Sequence, residues 1–89
     1  NSEQVSDLLQ HVHGWRVDHD RLLKTYQFKN FMQVMGFLNQ VAITAEGEGH
    51  HPDFCVHYNK VDFTLWTHAI DGLSENDFIL AAKLDNLVS

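Results

Sequence analysis

The chain has 89 residues, a formal net charge of −6, a hydrophobic content of 44% and a single cysteine. That length suits one domain with one core and leaves little volume for a deep pocket beside it, so a site shared between subunits is an option. The acidity and the lack of any Lys/Arg run argue against direct nucleic-acid binding, no apolar run approaches the ~20 residues of a bilayer span, and the lone Cys55 excludes an internal disulfide.

Residues 3–12 predict a short helix, because Val5, Leu8, Leu9 and Val12 recur at helical spacing, with Ser2 placed to cap it and Gly14 to end it. Trp15 to Val17 and Leu22 to Phe28 predict two strands around a polar Asp18-His19-Asp20 turn. In the second strand Leu22, Lys24, Tyr26 and Phe28 share one face, and Leu23, Thr25 and Gln27 the other. Residues 31–46 carry the clearest helical pattern: Phe31, Val34, Met35, Leu38, Val41, Ala42 and Ala45 form an apolar stripe. Asn30 is a good cap with Gln33 three residues on, as in a capping box. Gly36 inside the helix costs roughly 1 kcal/mol against Ala, which close packing at that point would explain. Gly47 and Gly49 are placed to end the helix. Phe54 to Tyr58 and Val61 to Thr67 predict a hairpin turning at Asn59-Lys60. Asp71-Gly72 is a turn, and Ser74-Glu75-Asn76-Asp77 starts a last helix with a cap and first-turn acids, flanked by Leu73 and Phe78. The order helix, strand, strand, helix, strand, strand, helix predicts an α+β fold, a four-stranded antiparallel sheet with two or three helices on one face, in a single domain over residues 1–89.

Chemistry concentrates in Glu46-Gly47-Glu48-Gly49-His50-His51-Pro52-Asp53, with Thr67-His68 as a second piece. Histidine is the side chain that titrates nearest neutrality, so such a cluster suits proton transfer or metal binding. The His pair follows a helix C-terminus, where carbonyl dipoles favour imidazolium. Pro52 stiffens the loop, and Glu46 or Glu48 is within sequence reach to orient a ring. A metal centre is the weaker expectation. Neighbouring histidines in extended chain point apart, Cys55 has no second thiol near it, and neither HExxH nor CxxC occurs. Cys55 in mid-strand is more readily a packing residue than a nucleophile. His11, His13, His19 and His57 read as surface or satisfied histidines. Trp66 is either an exposed strand aromatic or one wall of a pocket for a flat ligand.

Glu46-x-x-x-His50-His51-Pro52, Tyr58-Asn59-Lys60-Val61, Thr67-His68 and Gly72-Leu73-Ser74-x-x-Asp77, with Gly14-Trp15, Phe28-Lys29-Asn30-Phe31 and Gly36-Phe37 upstream, resemble the pterin-4a-carbinolamine dehydratase family over about residues 14–87. The resemblance implies an antiparallel four-stranded sheet with helices on one side and assembly as a homodimer or homotetramer. It implies dehydration of 4a-hydroxytetrahydropterin to quinonoid dihydropterin, without metal or organic cofactor, in tetrahydrobiopterin recycling. It places substrate contacts on Gly49, His50, His51, Trp66, Thr67, His68 and Ala69. Within that frame His50 and His68 share acid and base work, His51 mainly holds the pterin, and Glu46 orients or polarises an imidazole.

Three positions depart from what animal members commonly carry: Gly49 in place of Asp, Ala69 in place of Glu, and Trp66 in place of a small polar residue. Some animal members also act as a dimerisation cofactor of a transcription factor, so a non-catalytic partner-binding protein is the alternative, together with a pterin-binding homologue of little activity. Nothing in this sequence displays a surface for such a partner. No basic-then-apolar leader opens the sequence, and a cytoplasmic location is the expectation; a nuclear role is not readable.

Overall fold

The structure, a computed structural model, describes residues 2–88. Helix α1 spans Ser2–Leu9, strand β1 Arg16–Asp18, β2 Arg21–Gln27, helix α2 Phe31–Glu48, β3 Asp53–His57, β4 Lys60–Leu65 and helix α3 Glu75–Leu87, with a 3-10 turn at His68–Ile70 between β4 and α3. The strands lie in the order β1-β2-β4-β3, each antiparallel to its neighbour. This is the α+β architecture expected. Its two hairpins are joined by pairing β2 with β4, Leu22 opposite Leu65 and Tyr26 opposite Val61.

The β1–β2 hairpin closes through His19 and Asp20, both at positive φ, as a two-residue turn that matches strand twist requires. The β3–β4 hairpin turns one residue earlier than Asn59-Lys60: Tyr58 takes the positive φ of 52° and Lys60 already pairs with His57. Packing fixes that register, because it puts Val61, Phe63 and Leu65 on the buried face; a one-residue slip would expose all three.

One sheet face carries Leu22, Tyr26, Val61, Phe63 and Leu65, and against it lie Val34, Phe37, Leu38 and Val41 of α2 and Phe78, Leu80, Ala81 and Leu84 of α3. Tyr26, Phe37 and Phe63 form an aromatic centre, with ring centroids 5.0–6.0 Å apart and edge-on contacts of Phe63 with the other two. The buried stripe of α2 is rotated from the one expected. Phe37 is buried, whereas Phe31, Met35 and Ala42 are exposed, because α2 is apolar nearly all round and the sheet selects only one side. Asn30 caps α2 by accepting from the Gln33 N–H at 2.9 Å, while the Gln33 side chain accepts from the Lys29 N–H rather than completing the box at Asn30. Ser2 is the first helical residue of α1 rather than its cap.

The end of α3 is tied to the sheet by a polar centre. The Asp85 carboxylate, near the end of α3, accepts from Lys24 Nζ at 2.7 Å, Tyr26 OH at 2.5 Å, the His13 N–H at 3.1 Å and Trp15 Nε1 at 3.1 Å. Burial pushes the Asp85 carboxyl up, but these four donors outweigh it and hold it below its ordinary value. Burial, then the bond to Asp85 and its charge, raise the Tyr26 phenol far above its own ordinary value. A group whose folded pKa is depressed contributes stability above its unfolded pKa and loses it as pH falls through the folded one. The stability difference between the wild type and Asp85→Asn should therefore be constant above about pH 5 and narrow below about pH 4. Denaturant melts across pH 7 to about 3 read this directly, and a gap that stays constant throughout would exclude the linkage.

Close packing does not account for Gly36: a methyl group there would meet open space. Gly36→Ala should accordingly raise unfolding free energy by about 0.5–1 kcal/mol, seen as a higher urea midpoint at unchanged slope.

Candidate active site

The histidine pair owes its place to the way α2 stops. Gly49 adopts the left-handed conformation, with φ 65°, and the two closing bonds follow, Gly49 N–H to Glu46 O at 3.2 Å and His50 N–H to Ala45 O at 3.2 Å. This Schellman closure satisfies the last carbonyls and turns the chain sharply, so that His50 and His51 leave the helix end towards β4. Gly47 does not end the helix; it lies inside the last turn.

The opposite wall is built at the end of β4. Thr67 bridges to Gly72, with Thr67 N–H to Gly72 O at 2.7 Å, and Ile70 and Asp71 close the 3-10 turn onto Thr67 and His68. His68 and Ala69 therefore stand out on a short loop whose two ends are pinned together. Between the walls lies an open cleft of roughly 380 Å³ lined by Gly49, His50, His51, Trp66, Thr67, His68 and Ala69. These are the seven residues expected to contact the substrate. Glu46, the eighth residue singled out from the sequence, does not line the cleft; it meets His51 from the last turn of α2, Oε1 to Nε2 at 2.6 Å. Both partners of that pair are mostly exposed, at 77% and 62%, so solvent screens it and it contributes little to stability.

His50 is held differently. Its Nε2 lies 2.5 Å from Oδ1 of Asp77, which among the described residues is the one charged residue that is buried, with no exposed surface. The other oxygen, Oδ2, accepts from Thr67 Oγ1 at 2.9 Å and from the Ser74 N–H at 3.0 Å. Since the Thr67 hydroxyl proton goes to Asp77, the 2.6 Å contact between Thr67 and Ser74 has the Ser74 hydroxyl as donor. Asp77 is thus fully partnered, which buried charge requires. A carboxylate only accepts, so an ionised Asp77 requires the His50 Nε2–H to be the donor of the His50–Asp77 contact. In the sequence Asp77 is a first-turn acid of α3 and the last residue of the run Gly72-Leu73-Ser74-x-x-Asp77 that carries the family resemblance; Ser-x-x-Asp at a helix start indicates a cap rather than a buried carboxylate.

Trp66 sits half-buried just beyond β4, its Nε1 donating to Asp53 Oδ2 at 2.8 Å and its ring stacked on His68 at 3.8 Å between centroids. Cys55, expected to pack, is exposed instead, because Asp53, Cys55 and His57 point to the sheet face that no helix covers. His11, His13, His19 and His57 are exposed and none lines the cleft. Among the described residues no group of three or more His, Cys, Asp or Glu side chains is placed to hold a metal ion, and no helix is long and apolar enough to cross a membrane.

Fold and site together define a small α+β protein with a histidine-lined cleft at the seam between α2, β4 and α3. The sequence model of the pterin 4 alpha carbinolamine dehydratase family matches residues 1–87, and the chain belongs to that family. A protein of Nitrosospira multiformis, provisionally named a pterin-4-alpha-carbinolamine dehydratase, is 46% identical over 87 residues, covering 98% of this chain and 77% of its own length. The mitochondrial pterin-4-alpha-carbinolamine dehydratase 2 of Arabidopsis thaliana is 47% identical over 90 residues, covering 96% of this chain and 48% of the plant protein. The crystal structure of a transcriptional coactivator/pterin dehydratase from Brucella melitensis superposes with a TM-score of 0.95 at 33% identity, over 100% of this chain and 97% of that one.

If Asp77 sets the orientation of His50, Asp77→Asn should cost more than a hydrogen bond. The amide fills the same space, but its NH2 group has to face either the His50 Nε2 or both the Thr67 hydroxyl and the Ser74 N–H. We expect a loss of about 1–3 kcal/mol in stability together with a reoriented His50 ring. Denaturant unfolding and histidine ring NMR would show both; an unchanged His50 spectrum would exclude the coupling.

Proposed function

We propose that this chain is a 4a-hydroxytetrahydropterin dehydratase, a lyase that releases water from pterin-4a-carbinolamine to leave quinonoid dihydropterin. The observation that carries the reading is the gathering of His50, His51 and His68 on the rim of one cleft, with His50 fixed by a buried carboxylate. The reaction needs an acid to protonate the C4a hydroxyl as it departs and a base to take the N5 proton. One proton is given and one is taken, so no cofactor is required. Imidazoles near neutrality can fill both positions. His50 and His68 are assigned the two proton transfers, His51 the holding of the pterin, and Glu46 the orientation of His51. Gly49, Trp66, Thr67 and Ala69 complete the substrate contacts. The cleft is open, which suits a flat bicyclic substrate entering from solvent. Assembly as a homodimer or homotetramer, a cytoplasmic location and service to tetrahydrobiopterin recycling belong to the same proposal.

A second reading has a specific support: a pterin dehydratase-like protein described as a RuBisCO assembly factor in the alpha-carboxysome shares the fold, with a TM-score of 0.73 at 28% identity. A non-catalytic partner-binding role is therefore within the reach of this fold. What favours catalysis here is that an adaptor has no use for three imidazoles on one cleft and a buried aspartate behind one of them.

A phenylalanine hydroxylase reaction supplying the 4a-hydroxypterin, with its decay followed optically, separates the two. Wild type should accelerate the decay. His50→Ala and His68→Ala should each lower kcat by about 10²–10⁴-fold, the usual share of a general acid or base. His51→Ala should act chiefly on KM. Unchanged kinetics in both His50→Ala and His68→Ala would defeat the assignment, and a well-folded wild type without acceleration would favour the partner-binding role.

A further inference from the structure

We propose that Arg21 and Trp66 are positioning residues for His68, acting as a three-layer stack that fixes the imidazole on the cleft rim; the catalytic consequence rests on the role given to His68 above. The Arg21 guanidinium carbon lies 3.8 Å from the Trp66 ring centre, and the His68 ring centroid lies 3.8 Å from it, with planes 20° apart. Two flat groups that close to one ring centre are too bulky to share a face, so the indole lies between them. A flat ligand therefore meets the edge of Trp66 and not its face, which sets aside the indole as a stacking wall for the pterin.

The two supporting layers, Arg21 and Trp66, are anchored separately. Arg21 is at the start of β2, one residue before Leu22, which pairs with Leu65; this register brings it beside Trp66 on the sheet face away from the helices. Arg21 Nη2 donates to Asp71 Oδ1 at 2.8 Å and Nη1 to Asp20 O at 3.1 Å, so its plane is set from both ends. Asp71 closes the turn that starts at His68, its N–H bonding His68 O at 3.2 Å. The indole is held by Asp53 through Nε1. His68 is exposed, and among the described residues its ring makes no hydrogen bond, so the stack is what limits its rotamers. An imidazole that must meet a reacting atom in one orientation benefits from that restriction. Arginine suits the outer layer because its planar cation lies flat on an indole while its N–H groups stay free for carboxylate and carbonyl partners, which lysine cannot reproduce.

The test pairs a structural readout with kinetics. In a ¹H–¹³C spectrum of the histidine rings, assigned with His68→Gln, the His68 ring protons of the wild type should lie upfield of those of the exposed histidines. Trp66→Leu should return them to the exposed-histidine position and lower kcat about tenfold while KM moves by less than about threefold, a split in which the misplaced His68 outweighs the loss of the indole's edge contact with the substrate. Trp66→Phe, which keeps a flat face, should retain most of both the shift and the turnover. Arg21→Lys should behave like Arg21→Gln, both showing a reduced shift and a reduced kcat. Unshifted His68 signals in an active wild type overturn the stack alone. An inactive wild type with shifted signals overturns the dehydratase reading and the catalytic part of the proposal. A Trp66→Leu variant that loses the shift but keeps its full kcat overturns the positioning role.

Discussion

A carboxylate with no exposed surface, Asp77, is the constraint on which the cleft depends. A buried charge is tolerated only when its partners are all in place, and here the partners come from three separate pieces of chain. His50 belongs to the segment leaving α2, Thr67 to the exit of β4, and the Ser74 N–H to the start of α3. None of the three can move far without leaving the charge short of a donor. The two walls of the cleft are thus linked through the protein interior, and the cleft keeps its shape although it is open to solvent and contributes little burial of its own.

The Asp85 centre does comparable work at the other end of α3. There the donors come from β2, from the Trp15 indole and from the backbone before β1, and the acceptor comes from the last turns of the helix. Helix α3 therefore lies over the sheet with its apolar face in the core and one carboxylate near each end fastened to the chain around it. That arrangement matters for so short a chain, because one hydrophobic core of this size leaves a narrow margin of stability. The polar clusters set the position of α3 along the sheet, which apolar contact, being non-directional, does not.

The legibility of the fold follows the same division. The period-2 patterns of β2 and β4 were readable because both are central strands with one buried face, and the α+β order followed from them. In α2 the burial direction was not readable: with apolar residues on most sides, only the sheet decides that Phe37 goes in and Phe31 and Met35 stay out. The turn at Tyr58-Asn59 was misplaced by one residue because turn chemistry favours Asn, whereas the register is governed by Val61, Phe63 and Leu65. On the site, the histidine run was visible because its members adjoin in sequence, and the family resemblance named the facing residues. Asp77 belongs to a run that carries the family resemblance, but its local explanation as a helix-start acid was adequate, so its burial behind His50 was not readable. Arg21 was invisible for another reason: its approach to Trp66 is a product of the pairing of β2 with β4, two strands separated by the whole of α2 and β3.

The three imidazoles of the cleft are chemically unlike one another although the residue type is the same. His50 is largely enclosed, 15% exposed, and bonded to a carboxylate with no exposed surface, so its ring is held in one orientation. His51 pairs with a carboxylate in open solvent, where a water molecule competes on nearly equal terms and the ring stays adaptable. His68 is exposed yet flanked by an indole, which limits its orientation without assigning a proton to either nitrogen. The dehydration proposed for this cleft, which gives one proton and takes another within the same bound molecule, would be served by such inequality. Rings held by a buried anion, by a screened anion and by an aromatic face present three different environments around one cleft.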